Sequence, residues 1–165
     1  MSNFRDEICR VIAKDPRYSL EAYAFVLESL HLARNRKLRE ARRLGRERER
    51  ERAARPLKGR GARKKAKDEP PSGHVTGRQV CLAVRRLALR EYGMLAMPVL
   101  ARWGLRSTSD VGEIIYNLIA SGDLDKTPHD RREDFDDVFD FETDFRPAPL
   151  AEDDPDDAPD APEDD

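Results

Sequence analysis

Residues 74–124 read HVTGRQVCLAVRRLALREYGMLAMPVLARWGLRSTSDVGEIIYNLIASGDL, and this stretch decides the fold. It holds most of the residues able to build a core, and it is punctuated like three successive helices. Thr76 followed by Gln79 is a capping box, in which a hydroxyl takes an orphan helix N–H and the amide reaches back. Val80, Cys81, Val84, Leu87, Ala88 and Tyr92 then recur at three- and four-residue steps, the spacing of one helical face. Gly93 is placed to end that helix in a left-handed cap. Pro98 is tolerated only in a first turn, so a second helix starts near Ala96 or Met97. Val99, Leu100 and Trp103 face inward from it, and Gly104 closes it. Ser107, Thr108 and Ser109 are all capable N-caps for a third helix, with Asp110 at the positive end of its dipole. Its apolar face is Val111, Ile114, Ile115, Leu118 and Ile119. Gly122 ends it, and Leu124 folds back as the apolar partner of the cap.

Helix, glycine turn, helix, then an extended Leu after a final Gly is also the grammar of a helix-turn-helix with a wing. The charge on the third helix argues against DNA reading. Its outward positions are Ser109, Asp110, Gly112, Glu113, Tyr116, Asn117 and Ala120, with acids and no base. Entry into a groove needs positive charge against phosphate.

Outside this stretch the chain changes character. At 165 residues it suggests one domain. Charged residues make up 39% and apolar residues 38%, a charged share well above that of a typical globular domain. Charged flanks diluting a small core account for this. The net charge of −2 hides a polarity: 34–67 is overwhelmingly basic, and 147–165 has acids and no base.

N-terminal to the basic segment, Phe4, Ile8, Val11 and Ile12 mark a short amphipathic helix, broken at Asp15-Pro16. Ser19 caps the next one, with Glu21 in its first turn. Tyr23, Val26, Leu27 and Leu30 form its buried face, and Phe25, to one side, is expected to pack on the first helix. After Ala33 the apolar face fades. The alternating run Arg46-Glu47-Arg48-Glu49-Arg50-Glu51-Arg52 sets unlike charges three apart and like charges four apart, which gives little net support. A fraying helix ending at Pro56 is expected, then a disordered stretch 57–73 rich in Gly, Lys, Arg and Pro.

Downstream, Asp130 with Glu133 resembles a capping signal, and Phe135, Val138 and Phe139 are helically spaced, so a short helix from about Arg131 is expected, with the aromatics of this region, Phe139, Phe141 and Phe145 among them, packing back on the domain. Alternation of those aromatics is the pattern of an extended strap instead. The tail PAPLAEDDPDDAPDAPEDD has almost nothing to bury and is expected to be disordered.

The order HVTGRQVC, AVRRLALREYGMLAMPVLARWGL, TSDVGEIIYNLIASG and DRREDFDDVFDFETDF, with DPRYSLEAYAFVLESL before it, resembles an uncharacterised family of small bacterial proteins of the planctomycete and verrucomicrobial type. The resemblance spans about two-thirds of the chain and omits the basic middle and the acidic tail. It implies one cytoplasmic domain built from both sides of the basic segment. It supplies no activity, cofactor or catalytic residue, and the long Arg-rich insert departs from the family's shorter connection.

Few residues carry chemistry. Cys9 and Cys81 sit at apolar helical positions without metal spacing and read as buried thiols in a reducing compartment. His74 and Cys81 are too far apart along a capped helix to form a catalytic pair. His74 is expected to make a local capping contact instead. Asp123, Asp125, Thr127, His129 and Asp134 mimic parts of a calcium loop, but Pro128 replaces its central glycine and Asp its bidentate Glu. No phosphate loop, nucleophile elbow or zinc spacing is present. Trp103 reads as a buried packing anchor. No catalytic residue, cofactor or metal site is therefore expected. No apolar run is long enough to span a membrane, and the N-terminus lacks signal-peptide order, so a cytoplasmic location is expected.

The fold expected is mainly α, one small domain of five or six helices, with a winged-helix-like second half as an alternative. The divisions are 1–33, a helical pair in the core; 34–73, a basic fraying helix and disordered insert; 74–146, the main core with its aromatic strap; and 147–165, the acidic tail. The function expected is a non-enzymatic binding or adaptor protein that meets RNA or a ribonucleoprotein through basic clusters. Candidate contacts are Arg42, Arg43, Arg46, Arg48, Arg63, Lys64 and Lys65, and a stripe of Arg78, Arg85 and Arg86 with Arg90 on the first central helix. The segment 34–67 lacks aromatics, so base stacking is not on offer and binding there should be steeply salt-dependent. An acidic protein segment, including this chain's own tail, is the competing partner. A protein-interaction scaffold and a winged-helix-like DNA regulator are the alternative functions.

Overall fold

The computed structural model describes residues 4–54, 74–126, 128 and 130–146. Among them the protein is helical throughout, with no strand: α1 (Phe4–Lys14), α2 (Leu20–Ala54), α3 (Gly77–Tyr92), α4 (Ala96–Arg102), α5 (Thr108–Ser121) and a single last turn, α6 (Phe141–Asp144). Short 3-10 turns at Gly93–Leu95 and Arg132–Phe135 complete it. No wing follows α5 among the described residues. The turn at Arg132–Phe135 instead packs against α3 and α5.

Local signals set most helix ends. Thr76 caps α3: its Oγ1 accepts the Gln79 N–H at 3.3 Å and the Gln79 Oε1 accepts the Thr76 N–H at 2.9 Å. Such a box contributes about 1 kcal/mol. Pro98 lies in the first turn of α4, where its missing N–H costs nothing. At the end of α4 the Leu105 N–H reaches the Leu100 carbonyl at 2.9 Å and the Gly104 N–H reaches Ala101 at 3.1 Å. This is a Schellman closure, with Leu100 and Leu105 both fully buried beneath it. Gly104 stands at φ +96°, and a Cβ there would lie 2.1 Å from the Arg17 carbonyl oxygen. The turn between α1 and α2 therefore presses directly on the end of α4, and the Ser19 N–H donates to the Trp103 carbonyl at 3.1 Å. Gly122 ends α5 in the left-handed cap the sequence calls for, with Leu124 packed back on the core.

Several local expectations are corrected. Gly93 has φ +52° but ψ −123°, outside the left-handed helical region, because the chain passes straight into a 3-10 turn and then α4. Phe25 packs against Tyr92 and Trp103, at ring-centroid distances of 6.2 and 5.5 Å. It points toward the α3–α4 corner, where Trp103 is half-buried. The helix expected from Arg131 is only one 3-10 turn. Its box is shifted by one residue, with the Asp134 carboxylate accepting the Arg131 N–H at 3.1 Å. Cys9 is exposed rather than buried, whereas Cys81 is fully buried, its thiol pushed up to about 12 by that burial.

The core joins both blocks of sequence. Tyr18, Ala22, Tyr23, Val26 and Leu30 from the N-terminal pair pack with Val80, Val84, Leu87 and Ala88 of α3 and Val111, Ile114, Ile115 and Leu118 of α5. Phe135 closes one side. Its ring lies where a Cβ on Gly77 would come within 3.0 Å and where a Cβ on Gly112 would meet the Phe135 Cβ at 2.8 Å. Two helices thus present glycine to one aromatic ring, whose burial contributes about 2–3 kcal/mol. Phe139, Phe141 and Phe145 form a second aromatic cluster, with centroids 4.9 to 5.6 Å apart. Phe141 and Phe145 lie on one face of α6, whose first turn is capped by the Asp140 carboxylate.

Candidate nucleic-acid interface

Two helices carry the residues on which a nucleic-acid reading turns, and they are placed oppositely. α5, the helix that a helix-turn-helix would insert into DNA, is covered on its outward side. Asp110 accepts from the Tyr18 hydroxyl at 2.7 Å and from the Arg106 and Ser107 N–H groups. Gly112 lies beneath Phe135. Glu113 is held by Arg132 at 2.6 Å and by Arg17 at 3.5 Å. The Tyr116 hydroxyl donates to the Asp130 carbonyl, while its ring meets Phe135 and the Arg132 guanidinium. Asn117 donates to Asp15 and to the Tyr23 hydroxyl, both at 3.0 Å. Ser109 donates to Asp136 at 2.6 Å. Only Ala120, of the seven outward positions, is left exposed without such cover.

The turn between α1 and α2 provides half of that cover. Arg17 grips Asp15 through two hydrogen bonds of 2.8 and 2.7 Å. With the Asn117 amide, that guanidinium holds the Asp15 carboxyl far below its ordinary value, against an opposing push from burial. Burial raises the Tyr18 phenol above its ordinary range, and the hydrogen bond to Asp110 adds to the shift. Sequence reasoning missed this network because its members lie up to 102 residues apart. The acids on α5 were its only visible signal.

α2 is the contrast. Its 35 residues extend about 50 Å. Up to Ala41 one side of it is packed: Ala33 is buried, and Arg34, Lys37 and Leu38 are half-buried, while Asn35, Arg39 and Glu40 are exposed. The Lys37 ammonium donates to the His74 carbonyl. The basic segment therefore begins inside the domain rather than after it. From Arg42 to Ala54 every residue is exposed, including Arg42, Arg43, Arg46 and Arg48. The helix runs on through the alternating charges to Ala54. Arg63, Lys64, Lys65, Pro56 and the stretches 57–73 and 147–165 lie outside the described residues.

The arginine stripe on α3 is broken up. Arg78 and Arg86 are exposed, but Arg85 is half-buried and bound to Asp144, its Nε 3.3 Å from that residue's carbonyl and 3.6 Å from Oδ1. Arg90 pairs with Glu91 at 3.1 Å. Arg85 thus tethers α6 to α3.

His74 makes no local capping contact; its Nε2 lies 3.2 Å from Asp130 Oδ1. Beside this pair is a cleft of about 50 Å³ lined by Arg34, Tyr116, Leu124 and Asp125, with room for a few water molecules. Among the described residues, no group of three or more His, Cys, Asp or Glu is placed to hold a metal ion, and no helix is long and apolar enough to cross a membrane. Thr127 and His129 of the calcium-like pattern lie outside the described residues. Compared with protein-family models, curated proteins and solved structures, the chain finds no match.

Proposed function

We propose that this is a non-enzymatic binding protein that associates with RNA through its basic segment, residues 34–67, of which the stretch from Arg42 to Ala54 is exposed on α2. One observation carries the reading: from Arg42 onward α2 projects as a fully exposed helix whose arginines outnumber its glutamates. Free arginines set along a helix neutralise phosphates and release counterions, a driving force that needs no base contact. The covered outward face of α5 supports the basic segment over a helix-turn-helix reading.

The test is recovery of tagged full-length protein from lysate with and without ribonuclease. The comparison is a variant in which Arg43, Arg46, Arg48, Arg63, Lys64 and Lys65 are all replaced by Gln. Nuclease-sensitive recovery of RNA that the variant loses is the expected result. Nuclease-resistant partners retained by the variant would sink the reading.

A second reading, a protein-interaction scaffold, is favoured by the corner between α3 and α4. Met94, Leu95 and Met97 are 75, 65 and 41% exposed there, beside the Phe25, Tyr92 and Trp103 cluster. Exposed methionines suit adaptable apolar contacts. On that reading Leu95→Asp abolishes a salt-tolerant protein complex and leaves the fold unchanged by circular dichroism.

A further inference from the structure

The exposed part of α2 is one continuous helix, and helical geometry sorts its charges in a way that their order along the chain conceals. At 3.6 residues per turn, Arg39, Arg42, Arg43, Arg46 and Arg50 fall within an arc of about 100°. All five are exposed. The steps from Arg39 to Arg43, Arg46 and Arg50 are four, three and four residues, the rhythm of a single helix face. No glutamate falls inside the arc. Glu40, Glu47 and Glu51 group beyond its Arg43 side, and Glu49 sits outside the Arg42 side.

The arc also has a direction. Tyr23, Val26, Leu30 and Ala33 mark the face of α2 turned to the domain, and Lys37 continues it. The arginine arc lies roughly opposite that face; Phe25, which shares the azimuth of Arg43, is buried against Tyr92 and Trp103 three to four turns before the arc begins at Arg39. The glutamates Glu40, Glu47 and Glu51 lie between the arc and the domain-facing side, which Arg48 and Arg52 continue.

We infer that this face of α2 binds the phosphate backbone of a nucleic-acid duplex, with Arg39, Arg42, Arg43, Arg46 and Arg50 as the contacting side chains. The inference rests on the reading of the basic segment as the nucleic-acid surface, and it adds which side chains bind and what form of nucleic acid they fit. The arginines recur about every 5 Å along a straight rod, which suits a regular rigid row of phosphates. The arc carries no aromatic on which an unstacked base could lie, the usual requirement for a single strand. Arginine contacts to phosphate carry no sequence information, so the expected contact is to the backbone.

The experiment is fluorescence anisotropy with full-length protein and short labelled probes: an RNA duplex, a DNA duplex of the same sequence and a single strand. The decisive variant exchanges charges without changing their sum, combining Arg43→Glu, Arg46→Glu, Glu47→Arg and Glu51→Arg. Circular dichroism checks that its helix content matches the parent. The companion variant is Arg39→Gln, Arg43→Gln, Arg46→Gln and Arg50→Gln. The expected result is duplex binding stronger than single-strand binding, weakened at least tenfold by the charge exchange and by the glutamine set, with a shallower salt dependence in both. The duplex bound more tightly names the nucleic acid. If the charge exchange binds like the parent while the glutamine set does not, diffuse charge and not a face makes the contact; the inference is overturned and the basic-segment reading stands. A single strand bound as tightly as the duplexes overturns the inference likewise. If the parent binds no probe and retains only an acidic protein, both fall.

Discussion

α5 and the outer half of α2 are helices of similar length on the same chain, and they are stabilised in opposite ways. α5 is apolar enough to be surrounded. It touches α1, α2, α3 and the Arg132–Phe135 turn, and its polar outward side is consumed by hydrogen bonds to other segments. Every residue of the outer half of α2, from Arg42 to Ala54, is exposed, so it depends on intrinsic propensity and a little charge pairing. A helix held by its neighbours is sensitive to added volume, while one standing in water is sensitive to its own backbone entropy. The same substitution should therefore change stability in opposite directions in the two places.

The largest effect is expected where α4 meets the α1–α2 turn. Gly104→Ala combines a positive φ with a Cβ placed 2.1 Å from a backbone carbonyl. A loss of about 3 kcal/mol or more is expected, read as a lower urea midpoint at unchanged slope. A loss below about 1 kcal/mol would show that the turn does not press on α4. Next comes Gly112→Ala, which drives a methyl against the Phe135 Cβ and should cost about 1–3 kcal/mol. Pairing it with Phe135→Ala in a double-mutant cycle should recover part of that loss.

Acid should reach the same region. The Asp15 carboxyl is held below its ordinary value near 3.8, chiefly by hydrogen bonds from the Arg17 side chain. A depressed carboxyl contributes stability that is complete above the unfolded-state value and lost as pH falls below it. Thermal melts from about pH 6 down to 2 should show the gap between parent and Asp15→Asn closing below about pH 4. A gap constant across that range would mean the carboxylate is not held by Arg17 and Asn117.

The smaller effects lie on α2. A Cβ on Gly45 would meet nothing within 4 Å, and the residue sits inside a helix. Gly45→Ala should thus stabilise the projecting segment by about 0.5–1 kcal/mol, seen as slower amide exchange over residues 42–54. This is the sign opposite to that at Gly112, and a stability loss would contradict the picture of a free-standing helix. Smallest of all, Arg46→Ala should leave global stability within about 0.5 kcal/mol. Its consequence belongs to binding.

The helices of the 74–124 block were legible because their signals are local. A capping box, a first-turn proline and glycine stops act over a few residues, and Thr76, Pro98, Gly104 and Gly122 do what their chemistry dictates. Reading failed where a side chain had a choice of neighbours. Phe25 lies to one side of a stripe, and periodicity cannot say which element it meets; it meets the aromatic rings of Tyr92 and Trp103. His74 was assigned a local contact and found Asp130 instead. The Arg78, Arg85, Arg86 and Arg90 stripe was a correct helical face, but Asp144 claims one member and Glu91 another.

The sequence by itself determined that the chain is helical, where the central helices begin and end, and that basic and acidic residues are segregated along it. These follow from backbone sterics, capping and apolar spacing within single elements. Only the tertiary structure decided which charged faces are free. The acids of α5 look outward in a helical wheel, yet Arg17, Tyr18 and Arg132 cover them from distant segments. The arginines of α2 look balanced by glutamates in sequence, yet the helix turns five of them, Arg39, Arg42, Arg43, Arg46 and Arg50, to a side without glutamates. Charge composition is a property of the chain, but exposure depends on which elements pack on which, and that is set by burial across both blocks at once.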